Sequence, residues 1–215
     1  MAYLRLILIG GFSLLLVACA GIGSKPITTP AVPAAELEDR WERHQQAVEP
    51  ITQWKLNGKA AVNSGNEGGT ATVIWDQYAN RYTLEFYGIL GHGRTRLESN
   101  AHETRLFTAE GPQLVASDAQ GLLGEYTGWY LPVDNMFYWI RGLPSKHLPI
   151  QSLSLNAKSQ LQQLQQAGWT ITYEEYMQVN GIWLPQRLNL KHPGNSLHPM
   201  ITVKWISKSW VIPSS

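Results

Sequence analysis

The sequence predicts a mainly β domain, in which a curved antiparallel sheet forms an incomplete barrel with a few helices against its inner face. Three observations predict this fold class. Apolar and polar residues alternate with a period of two in many short segments, as in strands with one buried face. Short turn signals separate the segments, which favours antiparallel neighbours. Two apolar segments with helical spacing interrupt the series and must bury their faces against the sheet.

Residues 1–18 are typical of a secretory signal peptide. Arg5 supplies the positive charge, residues 6–17 form an apolar run, and small residues precede Cys19. The run is shorter than the roughly 20 residues that a membrane-spanning helix needs. We therefore expect this segment to be cleaved from the mature protein.

The end of this segment, Leu16-Val17-Ala18-Cys19, resembles the lipobox of bacterial lipoproteins. That resemblance implies cleavage before Cys19, an S-diacylglycerol group on its sulfur and an N-palmitoyl group on its amine. Because Ala20 follows rather than aspartate, it also implies an anchor on the periplasmic face of the outer membrane. Each buried methylene contributes about 0.8 kcal/mol, so two or three chains would anchor the protein almost permanently. The alternative is a cleaved signal with an incidental cysteine.

We therefore expect the chain to consist of three segments. Residues 1–18 are the signal peptide, and residues 19–35, rich in Gly and Pro, are a lipidated N-terminus and flexible tether. Residues 36–215 are long enough for a single domain with a sizeable core. That domain begins with a predicted helix from Glu36 to Pro50, whose apolar stripe includes Trp41 and Val48.

The predicted strands follow in order, with turn signals such as 65–69, 79–80 and 180–181 between them. They are 54–63, 70–76, 82–87, 94–99, 104–108, 113–116, 150–155, 169–174, 188–191 and 201–205. Residues 159–166 are ambiguous, because Leu161 and Leu164 are three residues apart and fit a short helix as well as a strand.

Two short helices are predicted between the strands at 113–116 and 150–155. The first is capped by Ser117 or Asp118, runs through Tyr126 and ends before Gly128. The second follows Pro132 and ends at Gly142. Its apolar stripe consists of Val133, Met136, Phe137 and Ile140.

Composition excludes several classes of function. The chain has 17 basic and 16 acidic residues, and cleavage of the signal peptide removes Arg5, which leaves the formal charges balanced. A neutral chain is a poor candidate for nucleic-acid binding. The only cysteine is Cys19, so no disulfide framework exists. Nine Trp and nine Tyr fit either an aromatic β core or an apolar cavity lined by rings.

No catalytic residue, metal ligand or cofactor site is predicted. The six histidines are scattered without metal-ligand spacing, and the chain has no Gly-x-Ser-x-Gly elbow. We therefore do not expect an enzyme. A lipid-modifying hydrolase stays open as an alternative that would need a buried Ser–His pair.

The segment Gly88-Ile89-Leu90-Gly91 is unusual for the tip of a hairpin, which is normally polar. Two large aliphatic residues stand here between glycines. Two interpretations are open: Ile89 and Leu90 fold inward and join the core, or they form an exposed apolar tip that touches lipid.

Several short segments together resemble the LolB family of outer-membrane lipoprotein receptors. The similar segments are 54–61, 75–77, 82–84, 88–91, 139–144, 168–173 and 184–185. They occur in the expected order behind a lipobox, and the resemblance runs from about Trp54 to Trp205, which is nearly the whole folded part.

The resemblance implies an open β-barrel with a helical lid over an apolar cavity, similar to the soluble periplasmic carrier LolA. It implies that the protein accepts acylated lipoproteins from that carrier and inserts them among outer-membrane phospholipids. It assigns membrane insertion to the loop formed by Gly88, Ile89, Leu90 and Gly91, with Leu90 critical and Ile89 in the place of the usual proline. It also favours a strand at 159–166. A monomer is expected.

Five inward-facing aromatic residues are the candidate lining of an acyl-chain cavity: Trp75, Tyr82, Phe86, Phe137 and Trp205. Each of them fits an ordinary core equally well. The alternative function is a lipid-binding or structural envelope lipoprotein that transfers nothing.

Overall fold

The computed structural model describes residues 33–65, 67–88, 93–108, 111, 114–194 and 199–213. The predicted signal peptide and Cys19 lie outside these residues. The described helices are α1 (Ala34–Val48), α2 (Ala119–Thr127) and α3 (Val133–Trp139). The described strands are β1 (Gln53–Ser64), β2 (Glu67–Tyr78), β3 (Arg81–Tyr87), β4 (Arg94–Ser99), β5 (Thr104–Phe107), β6 (Leu114–Ala116), β7 (Ile150–Leu155), β8 (Leu161–Gln166), β9 (Trp169–Val179), β10 (Ile182–His192) and β11 (Ile201–Val211).

The strands form one 11-stranded antiparallel sheet in the order β6-β5-β4-β3-β2-β1-β11-β10-β9-β8-β7. Most neighbours in this order are also neighbours in sequence, whereas β1 pairs with the final strand β11. β6 and β7 stand at the two ends of the order, so the sheet does not close into a full barrel. The predicted fold class is confirmed.

The helices α2 and α3 occupy the connection between the two edge strands, β6 and β7. Helices in such a connection bury their apolar residues by packing on one face of the sheet. Ring contacts show that this connection packs on the apolar face. The ring centroid of Trp129 lies 6.3 Å from that of Phe86, and the ring centroid of Phe137 lies 6.5 Å from that of Trp54. The prediction that both helices pack on this face is confirmed.

Residues 161–166 form strand β8, which resolves the ambiguity between helix and strand. The spacing of three between Leu161 and Leu164 has a local cause. Leu161 pairs with Leu155 while Gln163 pairs with Ser154, so the register shifts at Gln162. A bulge adds one residue to a strand and breaks its alternation. Both leucines are fully buried.

Two tight turns fix the register of the hairpins around β9. Ala167 and Gly168 have φ values of 50° and 77°, and Asn180 and Gly181 have φ values of 49° and 83°. Positive φ at both central residues is the requirement of a type I′ turn, whose twist matches that of paired strands.

The ends of α2 follow the sequence signals closely, whereas α3 ends at Trp139, before the predicted stop at Gly142. Asp118 caps α2, and its carboxylate accepts hydrogen bonds from the backbone N–H groups of Gln120 and Gly121. Gly128 ends the helix with a φ of 74°. None of the three described helices combines the length and the apolarity that a bilayer crossing requires.

Candidate functional site

Six rings meet at the centre of the apolar face and form what we call the aromatic cluster. Its members are Trp54, Trp75, Tyr82, Phe137, Trp205 and Trp210. Trp54 is central: its ring centroid lies 5.3 Å from that of Trp75 and 5.0 Å from that of Trp210. The cluster forms because β2, β1 and β11 are neighbours in the sheet, and residues of one face alternate along each strand.

The five predicted lining residues do not all come together. The ring centroid of Trp75 lies 5.8 Å from that of Tyr82 and 6.4 Å from that of Trp205. Phe137 contacts Trp54, which in turn contacts Trp75. Phe86 lies apart from this group and packs edge-on against Trp129, between α2 and α3. All five residues belong to the core, so the assignment to a cavity stays a prediction.

The interior around the aromatic cluster is filled by protein side chains. Trp75 is fully buried, and Phe86 and Trp205 are each 1% exposed. Tyr82 and Phe137 are half-buried at the boundary between α3 and the sheet. An acyl chain can therefore reach this region only when α3 moves or the rings rearrange.

Three buried indole N–H groups in this region have no hydrogen-bond partner among the described residues. They belong to Trp54, Trp129 and Trp210. By contrast, the indole N–H of Trp75 donates to Gln77 Oε1 over 3.0 Å, and that of Trp205 donates to Ser207 Oγ over 3.1 Å. Buried donors are normally paired, so an oxygen atom that reached these three groups after the rings rearranged would gain a hydrogen bond.

Gln166 attaches the C-terminal end of α3 to the edge of the sheet. Its Oε1 accepts from Trp139 Nε1 at 3.0 Å and from the Ser145 N–H at 2.8 Å. Its Nε2 donates to the carbonyls of Ser145 and Leu148, both at 3.0 Å. In addition, the hydroxyl of Tyr173 donates to the Trp139 carbonyl at 3.1 Å.

Arg141 attaches the same end of α3 to the loop between α1 and β1. It is 2% exposed, and its guanidinium donates to the Ile51 carbonyl at 2.8 Å and to the Phe137 carbonyl at 2.9 Å. Burial lowers the pKa of Arg141 to about 10, so the group stays charged at neutral pH. A buried cation that is bonded to carbonyls fixes the position of α3 without a buried carboxylate partner.

The N-terminal end of α3 has a weaker polar link to the sheet. The hydroxyl of Tyr82 in β3 lies 3.4 Å from Asp134 Oδ1, which is long for a hydrogen bond. Burial and the nearby Asp134 carboxylate raise the pKa of Tyr82, which therefore remains protonated. Burial also raises the pKa of Asp134, and the charge of Asp118 adds to this effect. Because a charged carboxylate is costly to remove from water, Asp134 and Asp118 disfavour a fully buried contact between this end of α3 and the sheet.

The stem of the β3–β4 loop is exposed at the surface. The Gly88 N–H donates to the Gly93 carbonyl at 3.1 Å, and Tyr87 next to it is 38% exposed. Although burial raises the pKa of Glu85, hydrogen bonds from Tyr87 and Arg94 hold it below its usual value. The predicted insertion residues Ile89, Leu90 and Gly91 lie outside the described residues, so their exposure stays a prediction.

Sequence reasoning did not single out three residues that build this site. The sequence pattern could have indicated Trp54, because this residue begins a predicted strand and lies on its apolar face. Arg141 and Gln166 carried no such signal, since they bond mainly to backbone carbonyls that any sequence provides. The alternation of β8 places Gln166 on the buried face of the sheet. A buried amide is the one feature of the sequence that could have indicated a structural role for this residue.

Comparison with known proteins decides the family. The family model described as "Outer membrane lipoprotein LolB" matches residues 52–210. The chain belongs to the LolB family. LolB proteins are receptors in lipoprotein sorting, and the predicted family and role are confirmed. The matching family is a lipoprotein-localisation family and not a catalytic one.

Relatives cover nearly the full length of the chain. The outer-membrane lipoprotein LolB of Pseudomonas fluorescens is 31% identical over 96% of this chain and 98% of its own length. The LolB protein of Pseudomonas aeruginosa is 33% identical over 94% and 95%, and that of Nitrosococcus oceani is 34% identical over 80% and 85%. Their shared name supports the predicted outer-membrane location.

A solved structure supports the fold independently. A LolA superfamily protein from Nitrosomonas europaea matches 86% of this chain and 96% of its own with a TM-score of 0.52. The sequence identity is 10%, so this likeness concerns the fold alone. The LolB chain thus has a fold similar to that of this one protein.

Proposed function

We propose that this LolB chain accepts the acyl chains of lipoproteins from a LolA-type carrier and releases them into outer-membrane phospholipid at the periplasmic face. The observation that carries the proposal is the aromatic cluster on the open sheet, with α3 across it. In this proposal the chain acts as a monomer, and Cys19 carries the diacylglyceryl and palmitoyl groups that hold it at the membrane.

The acyl chains enter between α3 and the aromatic cluster. Phe137 and Tyr82 are the half-buried rings at this boundary, and Phe137 covers the fully buried Trp54. The polar link between Tyr82 and Asp134 is long, whereas Gln166 and Arg141 hold the other end of α3 by several short hydrogen bonds. We therefore infer that the N-terminal end of α3 moves outward and its C-terminal end stays in place.

The filled interior gives this receptor an intermediate affinity. Burial of one acyl chain of about 15 methylenes gains roughly 12 kcal/mol at 0.8 kcal/mol each. Entry also breaks the contacts of Phe137 with Trp54, which lowers the net gain. Transfer needs no energy source, because a tenfold preference at each step requires only about 1.4 kcal/mol.

The unpaired indole N–H groups explain how the acylated end of a lipoprotein is held. Those of Trp54 and Trp210 are buried within the aromatic cluster. Each can donate to an ester or amide carbonyl of the cargo, which a purely apolar lining could not do. The acylated cargo is therefore the ligand that best matches both the rings and their free donors.

Site-specific photocrosslinking tests the proposal. The unit Val32–Ser215, which is compact and lacks Cys19, is mixed with carrier loaded with acyl-labelled lipoprotein. A photoreactive side chain replaces Phe137, and in the control it replaces Tyr78, which is 53% exposed and outside the aromatic cluster. Crosslinks to the acyl label from position 137 alone are expected. Failure to take up cargo, or equal crosslinking from both positions, would favour a structural lipoprotein without transfer activity.

A further inference from the structure

A second polar site lies away from the aromatic cluster, between α1 and the β7–β8 turn. A pocket of about 430 Å³ there is lined by Arg40 and Arg43 from α1, Lys158 and Ser159 from the turn, and Trp183 from β10. His44 completes the α1 side. Among the residues that the structure describes, three cationic side chains and no acidic side chain line this pocket. We call it the basic groove.

Two buried polar atoms in the basic groove have no hydrogen-bond partner among the described residues. They are Ser159 Oγ and His44 Nε2. Ser159 is 1% exposed, so water does not readily compensate its hydroxyl. Burial also lowers the pKa of His44, which leaves a neutral imidazole with one donor and one acceptor. Buried polar groups are normally paired, so this pair of free atoms points to a ligand.

The turn that carries Lys158 and Ser159 is held rigidly. Asn156 Oδ1 accepts from the N–H groups of Lys158 at 2.9 Å and Gln160 at 3.1 Å, and the Ser159 N–H donates to the Asn156 carbonyl at 2.9 Å. Ser159 adopts a φ of 60°, which is unusual for a residue other than glycine. Strained residues in a well-bonded frame are often found at functional sites.

We propose that the basic groove binds the phosphate group of a phosphate ester, either in a lipid headgroup or in a free metabolite. A phosphate offers three acceptor oxygens, and the guanidinium of Arg43 and the ammonium of Lys158 can donate to them. The buried hydroxyl of Ser159 can join them once a neighbouring side chain moves aside. Arg40 is partly engaged by an ion pair with Glu36. Trp183 is 41% exposed beside Lys158, whose Nζ lies 5.7 Å from its ring, and provides a face for the organic part of the ester.

The same atoms argue against a hydrolase. A serine nucleophile needs a hydrogen-bonded base, but Ser159 Oγ and His44 Nε2 are bonded neither to each other nor to any other described group. Our proposal for the basic groove therefore concerns binding and no reaction. It does not depend on the transfer of lipoproteins, so its failure would leave the proposed function standing.

Two probes distinguish the sources of the phosphate. Glycerol 3-phosphate is titrated into the unit Val32–Ser215 and followed by phosphorus NMR. Separately, flotation measures binding to phosphatidylcholine vesicles with and without phosphatidylglycerol. Saturable binding of the soluble ester supports a free phosphate, and saturable binding only to the anionic vesicles supports a headgroup presented by a bilayer. Absence of saturable binding to both probes would overturn the proposal.

Matched variants show whether the basic groove is responsible. The double variant Arg43→Gln/Lys158→Gln should weaken binding at least tenfold. The control Lys59→Gln/Lys204→Gln removes the same charge from exposed positions on β1 and β11 and should change it less than twofold. Ser159→Gly removes the hydroxyl, suits the positive φ and should weaken binding about threefold. Equal weakening by the control and the groove variants would show non-specific attraction and contradict the site.

Discussion

The guanidinium of Arg141 lies over the ring of Phe137, with its Cζ 3.9 Å from the ring centroid, and donates to the Phe137 carbonyl at 2.9 Å. One buried cation thus contacts both the backbone and the side chain of the residue that covers Trp54. The same guanidinium reaches the Ile51 carbonyl, so one side chain holds α3 to the loop between α1 and β1. This relationship connects the stability of the fold with access to the aromatic cluster.

Arg141→Lys should destabilise the protein by about 2 kcal/mol. A lysine has one charged nitrogen in place of a planar fork, so it cannot serve the Phe137 and Ile51 carbonyls in the same way, and one buried acceptor loses its partner. Denaturant unfolding measures the change. The control Arg187→Lys affects an exposed ion pair with Glu175 and should cost less than about 0.5 kcal/mol. Equal effects of the two variants would contradict the role assigned to Arg141.

Gln166→Glu should destabilise the protein by about 3 kcal/mol near neutral pH, because it buries a charge and removes the donors to the Ser145 and Leu148 carbonyls. Burial raises the pKa of the new carboxyl in the folded state. The loss should therefore shrink as the pH falls and the carboxyl becomes protonated. Unfolding free energies measured from pH 7 to pH 4 check this trend.

The matched control for this prediction is Gln163→Glu. Gln163 lies on the same strand, but its side chain is exposed. Its replacement should change stability by less than about 0.5 kcal/mol at any of these pH values. A similar pH dependence in both variants would show that the buried position of Gln166 is not the cause.

Gly124→Ala should lower stability by about 1 to 3 kcal/mol, although alanine is the better helix former. A Cβ at Gly124 would lie 2.2 Å from Cδ1 of Tyr130, so the ring has to move. In a Tyr130→Ala background the same change should become stabilising by up to about 1 kcal/mol. Thermal unfolding of the two single variants and the double variant measures this reversal of sign, and its absence would show that Tyr130 is not the obstacle.

Leu90→Glu should fold normally and accept cargo but fail to deliver it to vesicles. A charge at the tip of the β3–β4 loop makes contact with the apolar part of a bilayer costly. Transfer of a labelled lipoprotein from carrier to vesicles is the measurement. Leu114→Glu is the control, because Leu114 is 40% exposed at the edge strand β6. Normal delivery by Leu90→Glu would contradict the role of the loop.

Much of the fold follows from local patterns. β4 matches its predicted range, and Asp118 caps α2 as one of the two predicted residues. The spacing of Leu161 and Leu164 was misleading, because a bulge at Gln162 imitates a helical period. For the site, the sequence predicted four of the six residues of the aromatic cluster. The sequence did not show that Phe86 lies apart from the aromatic cluster, where it packs against Trp129 in the connection between α2 and α3.

The sequence alone determined the buried face of β1, β2, β3, β9, β10 and β11 and the position of several turns, because side-chain alternation and positive φ at turns are local properties. Only the tertiary structure decided that β1 pairs with β11 and that Trp54 stands at the centre of the rings. It also decided how Arg141 and Gln166 hold α3. Strand partners and hydrogen bonds to distant carbonyls depend on long-range geometry, and a backbone carbonyl is the same acceptor whatever side chain its residue carries.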